Sequence, residues 1–268
     1  MSQPCSQDDI VLCQRSGATC ILTLNRPQRR NALETATYQL MNRYLDEALD
    51  DPTVANLVLR GAGDFFCSGG DLLALETRAA LAVEERAALI EHLHTLVRRL
   101  RSSPKPVIAA IEGGAAGAGA SLAFACDLVV AARDSYVSLA YVKAGLVPDG
   151  GGSAFLALSL PHQLAAEIAL FGERLPIERL AAAGVVNRLV EPGQALTVAL
   201  QLGEQLAGGA RQSQTAILEL LDSAQREVFE RQLDRERDLM AVALGSAEAA
   251  EGIAAFKGKR APDFARLY

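Results

Sequence analysis

Basic residues are outnumbered, metal-ligating residues are sparse and long apolar runs are missing from this chain of 268 residues. Lys and Arg number 26 against 32 Asp and Glu, a formal net charge of -6, so there is no general electrostatic footprint for nucleic acid, whose binding rests on clustered cations. The one local basic run, Arg98, Arg99 and Arg101, lies on a helical pattern and reads as a solvated face. The five cysteines are scattered without Cys-x-x-Cys spacing, and no basic stretch followed by an apolar signal segment opens the chain. A reduced, cytoplasmic protein is expected. Apolar stretches are interrupted well short of the roughly 20 residues that span a bilayer, so no membrane partner is expected either. Only three histidines occur: His92 and His94 are two apart on a helical pattern and do not share a face, and His162 stands alone, so no metal site is expected. There is no Gly-x-Ser-x-Gly elbow and no Gly-Lys-Ser/Thr, and Gly117 to Leu122 lacks the third glycine of a dinucleotide fingerprint.

What is present is apolar residues, half of the chain, arranged with alternating strand and helix periodicities. Ile10 to Gln14 and Thr19 to Leu24 read as strands around a Ser16-Gly17 turn. Helical spacing from Leu33 to Leu49 is followed by a strand over Asn56 to Arg60. A glycine-rich loop then leads to a helix over Ala80 to Arg101, and Pro106 to Ile111 reads as a buried strand. Gly113 to Gly119 reads as a loop opening a short helix to Phe124, and Asp127 to Ala132 and Tyr136 to Ser138 as strands. This alternation predicts an α/β core with right-handed crossovers. Beyond Gly150 the pattern is helical, with one strand-like interruption at Val186 to Val190. The helices after Ala207 have no strand to pack on, so Ile217, Leu220, Leu221 and Val228 need a neighbour. The chain is thus divided into a core, 1–206, and a helical oligomerisation region, 207–268.

Two small-residue stretches follow strands and precede helices: Phe66-Cys67-Ser68-Gly69-Gly70-Asp71 and Gly113 to Gly119. Unsatisfied backbone N–H groups at helix N-termini can hold an anion or a developing oxyanion, and small residues let a ligand approach them. Taken alone, either stretch reads first as a device for tight turns and close packing. Asp149, between Pro148 and Gly150, is likewise ordinary turn chemistry when taken alone; the functional alternative is a carboxylate whose apolar flank raises its pKa toward a value useful for proton transfer. Tyr136 and Tyr141 read as core or wall residues.

Taken in order, the motifs resemble the enoyl-CoA hydratase/isomerase family, also called the crotonase superfamily. They are Asn25-Arg26-Pro27 with Asn31-Ala32-Leu33, Phe66 to Leu72, Pro104 to Gly113, Gly117 to Asp127, and Gly145 to Gly152. The resemblance implies a crotonase-like ββα spiral core, an acyl-CoA thioester as substrate, no cofactor beyond the coenzyme A of the substrate, and a homotrimer or homohexamer. By position it implies that the amides of Gly70 and Ala118 form an oxyanion hole. It also implies that coenzyme A passes along Gln28, Arg29 and Arg30 and the Ser68, Asp71 and Leu72 stretch. Phe256 and Lys259 of the C-terminal helix would contact the nucleotide end from a neighbouring subunit, with Tyr141 on the substrate wall.

Two departures narrow the chemistry that the resemblance implies. Hydratases of the family carry glutamates where Ser121 and Tyr141 stand, so neither carboxylate of a two-carboxylate hydration is present. Asp149 matches the single aspartate of isomerase branches, most closely the 1,2-epoxyphenylacetyl-CoA isomerases of phenylacetate breakdown, which the Gln232 to Asp238 stretch also resembles. An acyl-CoA isomerase with Asp149 as acid/base is therefore expected. The alternatives are an enoyl-CoA hydratase, a dehalogenase or thioesterase in which Asp149 is the nucleophile, and a non-catalytic acyl-CoA-binding protein. The dehalogenases carry tryptophan where Tyr141 stands, and this chain has none. Pocket walls from Leu73 to Ile90 and from the C-terminal helices would set acyl preference.

Overall fold

In the computed structural model, which describes residues 9–268, the parallel strands carry apolar side chains on both faces, as strands buried from both sides must. The chain opens with the hairpin β1 (Val11–Ser16) and β2 (Thr19–Leu24), which brings the Sγ atoms of Cys13 and Cys20 to 3.5 Å as free thiols. Helix α1 (Thr35–Asp50) crosses to β3 (Asn56–Gly61), and α2 (Leu72–Arg78) and α3 (Val83–Arg101) cross to β4 (Val107–Ile111). Then follow β5 (Gly114–Ala116), α4 (Ala118–Phe124), β6 (Leu128–Ala132), β7 (Tyr136–Ser138) and a short 3-10 helix, Ala140–Ala144. Next come α5 (Gly152–Ser159), α6 (His162–Phe171), the two-residue β8 (Leu175–Pro176), α7 (Ile177–Ala182) and β9 (Arg188–Val190). Four helices close the chain: α8 (Ala195–Ala207), α9 (Arg211–Ser223), α10 (Arg226–Ala243) and α11 (Ala247–Lys257).

The main sheet has the order β1-β2-β3-β4-β6-β9, antiparallel only at the hairpin, and a second sheet has the order β5-β7-β8. Successive turns send one strand to each sheet and then a helix: β4, β5, α4, and then β6 and β7. This is the ββα spiral. Alternation in β3, β4 and β6 divides the core: Leu57, Leu59, Ala109 and Ile111 face one cluster, while Val58, Ile108, Ala110 and Val130 face α8 through Ala195 and Ala199. Burying a residue of this size stabilises the fold by about 1.5–3 kcal/mol, so both faces are held tightly.

Most boundaries expected from periodicity lie within a few residues of those observed, and three differ in kind. Gly114–Ala116, expected as loop, is a strand because Tyr136–Ser138 offers it a parallel ladder; Gly-Ala-Ala carries no β-branched side chain to announce it. The approach to α3 holds a separate helix, α2. Lys259 does not belong to the C-terminal helix: α11 ends at Lys257, and Lys259 sits in the left-handed region with φ of 50°. No single described helix is long and apolar enough to cross a membrane.

Candidate active site

Parallel strands leave their carboxyl ends open for ligands, and both small-residue loops leave β3 and β4 at that edge. The buried Asn31 anchors the first loop: its side chain accepts from the Arg26 amide at 2.9 Å and donates to the carbonyls of Ala62 and Phe65 at 3.0 and 2.6 Å. Arg26 and Arg29 both pair with Asp71, at 3.3 and 3.1 Å, tying the Asn-Arg-Pro turn to the loop end. The two loops touch. A Cβ on Gly69, whose φ is +88°, would stand 2.7 Å from the Ala116 carbonyl and 3.1 Å from the Ala118 amide, so only glycine permits the approach.

That contact sets the amides of Gly70 and Ala118 on one cavity of about 780 Å³. Around Gly70 the Leu33 N–H donates to the Gly69 carbonyl and the Asp71 N–H to the Leu33 carbonyl, and Gly117 donates to Ser138, but neither the Gly70 nor the Ala118 N–H has a protein acceptor among the described residues. Ala118 is the first residue of α4, so its N–H is one of the helix's orphan donors.

Asp149 faces the same cavity, only 9% exposed. Tyr141 donates its hydroxyl to Asp149 Oδ1 at 2.7 Å, and Ser121 donates to the Asp149 backbone carbonyl at 2.8 Å. Burial pushes the carboxyl up to about 6, against the opposing pull of the Tyr141 hydroxyl and the Arg78 charge. Tyr141, buried beside this carboxylate, is held well above the ordinary phenol value and stays a neutral donor.

The backbone after Asp149 is held from two sides. Gly150 and Gly151 take left-handed φ values of +63° and +80°. His94, on α3, accepts the Gly150 N–H at Nε2, 3.1 Å away; burial holds its pKa down at about 3, so the ring is neutral and able to accept. Glu236, on α10 and buried, accepts from Gly151 N at 2.7 Å, from Ser153 N at 2.8 Å and from Ser153 Oγ at 2.5 Å. Burial raises the Glu236 carboxyl to about 7 in spite of these donors.

Of the positions expected from sequence, Gln28, Arg29, Arg30, Ser68, Gly70, Asp71, Leu72, Ala118, Tyr141, Asp149 and Phe256 all line this cavity. Lys259 is not among the lining residues. The side chain of Leu73, placed in a pocket wall from sequence, lies outside the described residues. Sequence reasoning took Tyr141 as a wall residue, whereas it is the direct partner of Asp149, eight residues away. It also passed over Tyr38, which lines the cavity, and Glu236, which braces it, while Arg78 and Met240 line it from stretches expected as acyl walls. Asp234, Arg235, Arg237 and Asp238 surround Glu236 in sequence, which masks a buried acid within an ordinary charged helix face.

Comparison with known proteins places the whole arrangement. The family profile for enoyl-CoA hydratase/isomerase matches residues 14–266. The chain is 35% identical to the 1,2-epoxyphenylacetyl-CoA isomerase of Escherichia coli (strain K12), over 96% of this chain and 98% of that one. It is 32% identical to the 2,3-dehydroadipyl-CoA hydratase of the same strain, over 95% and 98%. Among solved structures, an enoyl-CoA hydratase from Polaromonas sp. JS666 superposes with a TM-score of 0.79 at 43% identity, covering 94% of this chain and 98% of that chain. One from Mycobacterium avium subsp. paratuberculosis K-10 reaches 0.86 at 30% identity, covering 96% and 98%. With its spiral core, paired loops and a profile match over residues 14–266, the chain belongs to the enoyl-CoA hydratase/isomerase family.

Proposed function

We propose that this enzyme is an acyl-CoA isomerase that shifts a double bond, or rearranges a ring, by moving one proton through an enolate. The observation that carries the reading is the pairing of Asp149, a cavity-lining carboxylate not engaged by arginines as Asp71 is, with two unengaged backbone amides, Gly70 and Ala118. Asp149 as carboxylate takes a proton from the carbon next to the thioester. The electrons move into the carbonyl, and the Gly70 and Ala118 N–H groups meet the charge that develops on oxygen. The protonated Asp149 then returns the proton at the γ-carbon, and the double bond has moved. Tyr141 occupies Oδ1, which leaves Oδ2 for transfer. Substrate oxidation state is unchanged, so the step calls on no redox cofactor.

A raised pKa of about 6 suits this work: the group is largely ionised at neutral pH yet basic enough to hold a proton during the shift. Ser121 and Tyr141 both spend their hydroxyls on Asp149, and neither position supplies a second carboxylate to activate water. Incubation of 3-enoyl-CoA thioesters in heavy water tests the proposal. Deuterium uptake with formation of the 2-enoyl isomer is expected, and rapid hydration of crotonyl-CoA without isomerisation is the result that would sink it.

A further inference from the structure

Among the described residues, one cation lining the cavity has neither a carboxylate nor an aromatic ring as its partner. Arg78, at the end of α2, lines the cavity, and no carboxylate pairs with it among the described residues. Nearby acids are taken: Glu76 pairs with Lys257 at 2.7 Å, and Glu34 with Arg26 at 3.2 Å. The one side-chain hydrogen bond of Arg78 among the described residues is to Thr35 Oγ1, at a long 3.3 Å. Tyr38, on α1 and 5% exposed, lines the same cavity, and its hydroxyl has no hydrogen-bond partner among the described residues. Burial and the Asp149 charge keep that hydroxyl protonated, so it is a donor.

The other cations around the cavity are differently placed. Arg29 pairs with Asp71 at 3.1 Å and Lys143 with Glu173 at 2.7 Å. Arg30 and Arg174 lie over the rings of Phe65 and Tyr136, which meet edge to face at 6.0 Å. Arg78 reaches Thr35 at the start of α1, and Tyr38 stands one turn further along that helix, so the two groups lie together on the α1–α2 wall of the cavity that also holds Asp149. A guanidinium in a half-buried apolar cavity is costly unless an anion meets it, and its planar fork suits a carboxylate.

We infer that Arg78 and Tyr38 form a subsite for the distal end of the acyl group, and that the preferred substrate is a CoA thioester whose acyl chain ends in a carboxylate. The inference rests on the reading of the cavity as an acyl-CoA site, and not on isomerisation. A saturated diacid monothioester cannot isomerise, so binding tests it separately from chemistry. Adipoyl-CoA and suberoyl-CoA are titrated calorimetrically against hexanoyl-CoA and octanoyl-CoA, two pairs matched in carbon number. At least one diacid thioester is expected to bind about tenfold or more tightly than its neutral partner, as a hydrogen-bonded charge pair warrants. Arg78→Met should abolish that preference while leaving hexanoyl-CoA affinity within about twofold, which also reports a folded site. Tyr38→Phe should weaken the preference, and Arg78→Lys should keep part of it. Equal affinity within both pairs, or a preference that survives Arg78→Met, overturns the subsite. Absence of deuterium exchange alongside a retained diacid preference would overturn the isomerase reading alone.

Discussion

Asp149 is the residue on which turn chemistry and acid/base chemistry coincide, and one substitution separates them. Asp149→Asn keeps the size and the acceptor for Tyr141 but cannot take a proton, so turnover should fall by about 10²–10⁴-fold while thioester affinity persists. For the wild type, kcat/KM should rise with pH through about 6 and level above it, because the ionised form is the base. Stability runs the other way. The folded pKa of Asp149 is raised above the ordinary value of 3.8, so its contribution is fully present below that value and is lost as pH rises through about 6. Asp149→Asn should therefore raise the melting point at pH 8, by a stability gain on the order of 2 kcal/mol, and lose that gain toward pH 4. Thermal melts at the two pH values check the sign. Asp149 could be singled out from sequence by its match to the aspartate of isomerase branches, since the flanking Pro and Gly alone read as a turn, but its partner could not: Tyr141 reaches it only because the 3-10 helix Ala140–Ala144 folds back beside the turn.

At the level of elements, the loop that carries Asp149 is fastened to helices far away in sequence. Glu236 of α10 takes two amides and a hydroxyl, and His94 of α3 takes one more amide. Glu236→Gln can accept at one atom only, so one of these donors is left unpaired. The expected result is a fall in kcat of about tenfold with KM little changed, in keeping with an unmade buried hydrogen bond. The N-terminus of α4 permits a second test. Proline is tolerated at a first helical position, where its missing N–H breaks no intrahelical bond, so Ala118→Pro should fold, as circular dichroism would show, and lose about 10²–10³-fold in kcat with one oxyanion donor. Elements with strong periodicity, such as Thr19–Leu24 and His162–Phe171, are legible in the sequence to the residue. The strand Gly114–Ala116 is not, because its conformation comes from the ladder it joins rather than from its own side chains.

For the molecule as a whole, the apolar positions that periodicity left without neighbours stay without them within one chain. Ile217, Leu220, Leu221 and Val228 are 50–69% exposed, and Leu170 and Phe171 at the end of α6 are 69% and 65% exposed. Apolar surface of this extent calls for a partner, and self-association into a trimer or hexamer is the expected state. Light scattering at micromolar concentration checks it; a stable monomer would count against it. The alternation of strands and helices made the α/β class legible, since burial on both faces demands continuous apolar strands. The cavity was legible only in part: the stretch 73–90 and the C-terminal helices, expected as walls, supply Arg78 and Met240, whereas Tyr38 on α1 carries no local signature. The two unengaged amides have a final consequence for how such an enzyme can change by descent. Charge stabilisation written in the main chain is encoded by no particular side chain, so nearly every codon change at Gly70 or Ala118 leaves the N–H itself untouched. Under the proposed mechanism, mutation can then rewrite the base at position 149 or the wall at position 78 one residue at a time, and each intermediate keeps both amides on the cavity.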